Sequence, residues 1–239
     1  RVACSLYEHC GACTWCRAGR PTLCPQARRI GIERDGGLAT YMVATAENLL
    51  PFGDDTDPAA AAIAMDAVTS PWGALHGHAR VQPGERVAVS GCGGLGLNGV
   101  QIARAAGAAV AAIDPNPRHR ELALERGAEI AVDPDDLDAL RAWAPEGVDI
   151  AFEASGRRGG FDAAVAVVRP GGRIVCNGYQ PGVEYGLDSA RLVLSEISVM
   201  GSRVATREDA RAALAAVEAG EIAPVITRRL PLEAVNEAL

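Results

Sequence analysis

Four cysteines fall inside the fifteen residues CGACTWCRAGRPTLC: Cys10, Cys13, Cys16 and Cys24, spaced C-x2-C-x2-C-x7-C. Two-residue gaps let neighbouring thiolates turn back towards one point, and Gly11, Gly19 and Pro21 supply the bends. Four thiolates complete the tetrahedral shell of Zn²⁺ and leave no position for water or substrate, so such a site holds structure and activates nothing. In zinc-finger peptides this binding contributes on the order of 10 kcal/mol to folding. Two other readings compete with structural zinc. An iron–sulfur cluster generally has another spacing and a Pro after its last Cys, and Pro25 does follow Cys24. An incidental Cys-rich loop needs no metal. With Cys4, Cys92 and Cys176 the total is seven, an odd count that argues against a disulfide framework.

A second stretch, SGCGGLG, sets Gly91, Gly93 and Gly96 in the pattern G-x-G-x-x-G, with Gly94 in the same turn. Such loops are common, and the signal gains force only between a strand and a helix. That context is present: ERVAVSG (85–91) reads as an apolar strand and 93–108 as a helix. Gly91 then permits the tight turn, Gly93 lets a pyrophosphate reach the backbone, and Gly96 lets helix and sheet pack closely. The phosphates lie against the helix's free N–H groups. Asp114 ends the next strand, 18 residues after Gly96. A carboxylate there accepts hydrogen bonds from the adenosine ribose and repels a 2′-phosphate, favouring NAD(H) over NADP(H). Other nucleotides and S-adenosylmethionine use similar loops.

The elements that must position these groups follow from the pattern of apolar residues. Segment 34–52, RDGGLATYMVATAENLLPF, alternates around Gly-Gly as a hairpin does, and 54–79 reads as helices with Asp57 as N-cap and Pro58 first in the helix. Strands at 85–91, 109–114, 129–132, 148–155, 172–179 and 197–202 then alternate with helices at 93–108, 117–126, 136–143, 160–168 and 188–195. Six strands in that rhythm predict a parallel sheet wrapped on both faces, followed by an amphipathic helix at 206–219 and the segment LPLEAVNEAL. The 239 residues are 49% hydrophobic, enough for a sizeable core in one or two domains. Only 4% are aromatic, so helices are expected to pack through Ala and Gly. A net charge of −7 with interspersed signs and no basic run disfavours nucleic-acid binding. No apolar run approaches the length of a membrane span, and the N-terminus lacks a secretory layout, so a cytoplasmic setting is expected. The chain starts mid-pattern at Arg1 without Met, as a piece of a longer protein would.

Taken together, CGACTWCRAGRPTLC, DGGLATYMV, AMDAVTSPWGAL, VAVSGCGGLG, VDIAFEASG, VRPGGRIVCNGY and EISVMGSRVATREDARAAL resemble, in order, a zinc-dependent alcohol dehydrogenase of the medium-chain dehydrogenase/reductase superfamily. The resemblance implies an α/β fold: a Rossmann doubly wound parallel sheet at 67–202, plus an incomplete GroES-like β catalytic domain from 1–66 and 203–239. It implies NAD-dependent oxidation of an alcohol or polyol, or the reverse carbonyl reduction, by hydride transfer at a second, catalytic zinc. Asp66 matches the ligand position just before the Rossmann domain, and Ser70 the hydroxyl residue that follows it towards the nicotinamide. The partner Cys and His ligands would precede Arg1. A plainer role for Asp66 is capping a helix or pairing with Arg80 or Arg86. His119 occupies the place of a family Lys near the adenosine, flanked by Arg118 and Arg120, any of which would supply a cation there. His9, His76 and His78 match no missing ligand. A homodimer or homotetramer joined along the last Rossmann strand is expected. The rival readings are a zinc-independent quinone or enone reductase of the same superfamily, and a non-catalytic NAD-binding module.

Overall fold

The computed structural model describes residues 1–237. In chain order the strands are β1 (Val2–Cys4), β2 (Tyr7–Glu8), β3 (Arg28–Arg29), β4 (Leu49–Pro51), β5 (Arg86–Ser90), β6 (Ala109–Ile113), β7 (Ile130–Val132), β8 (Val148–Glu153), β9 (Val168–Cys176) and β10 (Ser198–Gly201). The helices are α1 (Thr14–Arg17), α2 (Pro58–Ile63), α3 (Thr69–Trp72), α4 (Gly94–Ala105), α5 (Pro117–Glu125), α6 (Asp138–Trp143), α7 (Arg158–Val167), α8 (Ser189–Leu194) and α9 (Arg207–Glu218). The chain divides into two compact units: residues 1–69, 206–220 and 224 onward form one, and 70–205 with 221–223 the other.

The second unit is a six-stranded, wholly parallel sheet in the order β10-β9-β8-β5-β6-β7. This is the doubly wound arrangement in which strand order reverses beside the first strand, opening a crevice at the carboxyl ends of β5 and β8. The apolar strands that alternate with helices in the sequence are buried on both faces: Val87, Val89, Ile113, Ile150, Phe152 and Ile174 are all at most 1% exposed. β9 begins at Val168, four residues ahead of the predicted 172, because Val168 pairs with Val148 before a register shift between Val148 and Ile150. The irregularity accommodates Pro170 and Gly171 within the strand.

In the first unit β1 pairs antiparallel with β4, and β2 with β3. The hairpin predicted across 34–52 does not form. Residues 35–45 hold no regular structure, and Leu38, Tyr41 and Val43 are 67%, 90% and 75% exposed. An alternating segment becomes a strand only by hydrogen bonding to a neighbour, and none pairs with it among the described residues. The N-cap prediction holds: Asp57 accepts the Ala59 N–H at 3.1 Å, with Pro58 opening α2. The chain then adopts a π-helical turn, Ala64–Val68, which carries Asp66. The Ala64 carbonyl accepts both the Thr69 N–H, as a π-helical turn requires, and the Thr69 hydroxyl at 2.6 Å. α9 starts with a capping box in which the Asp209 N–H donates to Thr206 at 3.2 Å and the Thr206 N–H to Asp209 at 2.9 Å. Its inner face is Ala210, Ala213, Leu214, Ala216 and Val217, and the Glu218 carboxylate accepts the Gly53 N–H at 2.7 Å. No helix among the described residues is long and apolar enough to cross a membrane.

Phe152 fills the centre of the parallel sheet with no solvent exposure. Phe152→Ala leaves a cavity that neighbouring backbone cannot close, and it should destabilise this unit by about 3–5 kcal/mol. The check is the urea midpoint of its unfolding transition; a shift below about 1 kcal/mol equivalent would contradict this packing.

A thiolate lobe and a nucleotide crevice

The sulfurs of Cys10, Cys13, Cys16 and Cys24 all lie within 4.8 Å of one another. Individual separations are 3.5 Å for Cys13–Cys16, 3.6 Å for Cys10–Cys24 and 4.0 Å for Cys10–Cys16. A tetrahedron with Zn–S bonds of about 2.3 Å has edges of about 3.8 Å, close to these separations, so the four thiols suit Zn²⁺. Local backbone prepares them. Cys13 is the N-cap of α1, its sulfur accepting the Cys16 N–H, and the Cys13 N–H donates to the Cys10 sulfur at 3.3 Å. The N–H groups of Ala12 and Cys13 lower the Cys10 thiol to about 6. Cys16 moves the other way, to about 12, through lost solvation and then its bond with Cys13. Thiols this close cannot all ionise without a cation between them. No cysteine is in a disulfide.

The second site lies in the Rossmann unit. Its walls enclose a cavity of about 790 Å³ that Gly91, Gly93, Asp114 and His119 line together. Gly91 has φ +87°, a left-handed conformation that other residues adopt only with strain. A Cβ on Gly96 would sit 1.8 Å from the Gly91 carbonyl oxygen, so that glycine is what lets α4 approach β5. Gly93 and Gly94 differ: a Cβ on either meets nothing within 4 Å. The open space stands at the N-terminus of the twelve-residue α4, whose N-cap Gly93 offers no side chain to the first-turn N–H groups. Uncapped donors, a positive dipole end and an empty approach fit a pyrophosphate.

Asp114 is only 5% exposed. Its carboxylate accepts the Cys92 N–H at 2.7 Å and the Asn116 N–H at 2.8 Å, tying the glycine turn to the end of β6. The Cys92 thiol beneath is pushed up to about 12, by burial first and then by the Asp114 charge. Of the three cations named from sequence, His119 joins the cavity wall. Arg118 pairs with Glu121, and Arg120 is held by the carbonyls of Asp114 and Pro115 and by Asp133.

Sequence reading missed Glu153. It ends β8 with no solvent exposure and accepts the N–H groups of Ser155 (2.8 Å) and Gly156 (3.0 Å), the Ser155 hydroxyl, and the Tyr185 hydroxyl at 2.8 Å. Tyr185 stacks on Phe161 at 4.4 Å, and burial followed by the Glu153 bond raises its phenol. This network fixes the turn after β8, whose Ser155 lines the cavity. The available signal was a carboxylate at the end of an apolar strand. Ser90, at the end of β5, likewise lines the cavity and donates to the Gly160 carbonyl at 2.8 Å.

Asp66 and Ser70 do not line this cavity. Ser70 is buried on α3. Asp66 is exposed and borders a separate cavity of about 380 Å³ in the first unit, together with Cys4, Met42 and Met65. Among the described residues, the four cysteines are the one group of three or more His, Cys, Asp or Glu placed to hold a metal.

Fold and sites define a Rossmann protein with a crevice that fits a pyrophosphate and a four-cysteine lobe suited to a structural metal. Residues 94–219 match the family described as zinc-binding dehydrogenase, and residues 1–54 match the alcohol dehydrogenase GroES-like domain. An alcohol dehydrogenase of Geobacillus stearothermophilus is 34% identical over 234 residues, covering 97% of this chain and 68% of its own length. A Sinorhizobium meliloti protein described as a zinc-binding dehydrogenase, solved with NADP, superposes at TM-score 0.92 and 30% identity over 100% of this chain and 72% of its own. The alcohol dehydrogenase of Aeropyrum pernix gives 0.89 and 26%, over 99% and 70%. The chain belongs to the zinc-dependent alcohol dehydrogenase family of the medium-chain dehydrogenase/reductase superfamily.

Thiol titration at pH about 8 checks both sites at once, since ordinary thiols react there as thiolates. In the zinc-loaded protein Cys92 and Cys176, both near 12, should be silent. A strong chelator should release one zinc and make the lobe thiols reactive, Cys10 and Cys13 ahead of Cys16. Four thiols reactive before chelation would contradict a closed metal site.

Proposed function

We propose that this chain binds NAD(H) in the Rossmann crevice and serves hydride transfer between the nicotinamide and the carbinol carbon of an alcohol or polyol, or the reverse carbonyl reduction. The observation that carries the reading is the empty space over Gly93 and Gly94 at an uncapped helix start, with the Asp114 carboxylate on the same cavity wall. Bound there, the dinucleotide supplies the hydride chemistry. The chain's own residues hold it: α4 and its turn take the pyrophosphate, and Asp114 accepts from the adenosine ribose. Glu153 keeps Ser155 and Gly156 in place along the crevice. The related protein that carries NADP shows that this fold also admits the phosphorylated dinucleotide, whereas a carboxylate at Asp114 favours NAD(H) here.

Zinc in the lobe, held by Cys10, Cys13, Cys16 and Cys24, keeps that segment folded. The family resemblance adds a catalytic zinc with Asp66 among its ligands and Ser70 towards the nicotinamide. Asp66 alone does not satisfy such a metal, because a catalytic zinc takes three protein ligands. The rival reading is a dinucleotide-binding module without turnover. The edge strand β10, with Val199 43% exposed, is the proposed seam with a second copy.

The two kinds of glycine provide the test. Gly93→Ala places its Cβ in open space, so the protein should melt as the wild type does but bind NAD+ at least about tenfold more weakly. Gly96→Ala collides with the Gly91 carbonyl and should lower the melting temperature itself. Unchanged NAD+ affinity in a folded Gly93→Ala protein would sink the dinucleotide reading. Alcohol-dependent NADH formation by the wild-type chain would decide between enzyme and module.

A further inference from the structure

We propose that the four-cysteine lobe is also a thiol–disulfide exchange site for low-molecular-weight disulfides, entered at Cys10. Oxidation there ends in two particular bonds, Cys10–Cys24 and Cys13–Cys16, which take over from the metal in holding the lobe closed. The zinc role given above enters only as the ion that is displaced.

The sulfur positions select the pairing. Cys13–Cys16 at 3.5 Å and Cys10–Cys24 at 3.6 Å are two short contacts that together use each sulfur once. Cys10–Cys16, at 4.0 Å, is longer and would take one sulfur from each pair. A disulfide holds its sulfurs about 2.05 Å apart, so each pair has about 1.5 Å to close, within reach of a side-chain rotation. Backbone geometry supports the first pair, since the Cys13 sulfur caps α1 and accepts the Cys16 N–H, as in other C-x-x-C turns. Exposure selects the point of entry. Cys10 is exposed, Cys13 and Cys16 are half-buried, and Cys24 is only 6% exposed. A bulky disulfide reaches Cys10 and is kept from Cys24, whose sulfur lies beside Cys10. An accessible thiol next to a resolving thiol is the arrangement of a redox-responsive pair. Outside the lobe, the Cys4 and Cys92 thiols turn to backbone carbonyls instead, and Cys92 is buried.

In the exchange the Cys10 thiolate attacks one sulfur of the disulfide, forming a mixed disulfide and expelling one small thiolate. Cys24 then gives up its proton or its metal bond and attacks the Cys10 sulfur, expelling the second. Cys13 and Cys16 repeat the sequence with another molecule of oxidant. In sum, two pairs of protein thiolates are oxidised by two electrons each, and two small disulfides are reduced to four thiols that take up four protons. Zn²⁺ leaves with its charge unchanged. The Cys10–Cys24 bond closes a loop over residues 10–24, and Cys13–Cys16 pins α1 within it. Both restrict the open chain, which the scant apolar burial of the lobe does not. In a reducing setting such bonds are transient and responsive, not a permanent framework.

The experiment exposes the zinc-loaded chain to oxidised glutathione and quenches by alkylation at intervals. Zinc passing to a chromogenic chelator is read against a control without oxidant. Tandem mass spectrometry maps the disulfides, and trypsin cleavage after the exposed Arg17 reports whether the lobe is closed. Early samples should carry glutathione on Cys10. At completion one zinc should be released, four of the seven thiols consumed, and Cys10–Cys24 and Cys13–Cys16 found. The reduced, metal-free chain should be cut after Arg17 at least about tenfold faster than the oxidised chain, because cleavage follows the open population. Either of the other connectivities, Cys10–Cys13 with Cys16–Cys24 or Cys10–Cys16 with Cys13–Cys24, would overturn the inference. So would glutathione appearing first on Cys24, retention of all seven thiols in excess oxidant, or equal cleavage of the oxidised and reduced metal-free chains. A chain that takes up no zinc yet forms the two bonds would support the exchange site and overturn the zinc reading alone.

Discussion

The Asp114 carboxylate is the point on which the nucleotide unit turns. A nearly buried anion is costly unless donors reach it, and here the N–H groups of Cys92 and Asn116 and the ring of His119 do so. Those bonds join the glycine turn after β5 to the end of β6. They place the negative charge beside the helix start, where the backbone dipole is positive. The turn can sit there only because Gly91 takes a positive φ and Gly96 carries no Cβ. The geometry that stabilises the anion also leaves open the path to α4.

The metal lobe solves a different problem. Its helix has four residues and its strands two each, and α1 buries no residue. Hydrophobic burial is too small to order such a segment; backbone N–H donation converges the sulfurs, and a cation between them would remove the mutual repulsion of thiolates. Arg20, 5.4 Å over the Trp15 ring, adds a local contact of a kind worth about 0.5–1 kcal/mol at exposed sites. The densest chemistry of the sequence thus suits a structural metal, and the proposed working surface is the crevice.

Much of this was legible in the residues, for physical reasons that differ by element. The C-x2-C-x2-C-x7-C spacing and the G-x-G-x-x-G turn are short-range constraints, so their geometry follows from sequence neighbours. The alternating strands and helices of 85–202 carry their periodicity within each segment, and each strand was found within a few residues. The hairpin expected at 34–52 failed because pairing is a property of two segments, and the pattern of one does not provide a partner. Glu153 was missed for a similar reason: Tyr185 lies 32 residues away and meets it only once β8 and the 178–187 loop are in place. The choice of His119 over Arg118 and Arg120 also needed the fold, since acidic neighbours had to claim the arginines.

The proposed dinucleotide site lies at the carboxyl ends of β5, β6 and β8 and is anchored by Asp114. A crystal structure of the zinc-loaded chain with NAD+ tests it most directly. The pyrophosphate is expected over Gly93 and Gly94, with the adenosine ribose hydroxyls within about 3 Å of the Asp114 carboxylate, ordinary hydrogen-bond distance. A dinucleotide bound elsewhere, or one whose phosphates lie away from the start of α4, would contradict it.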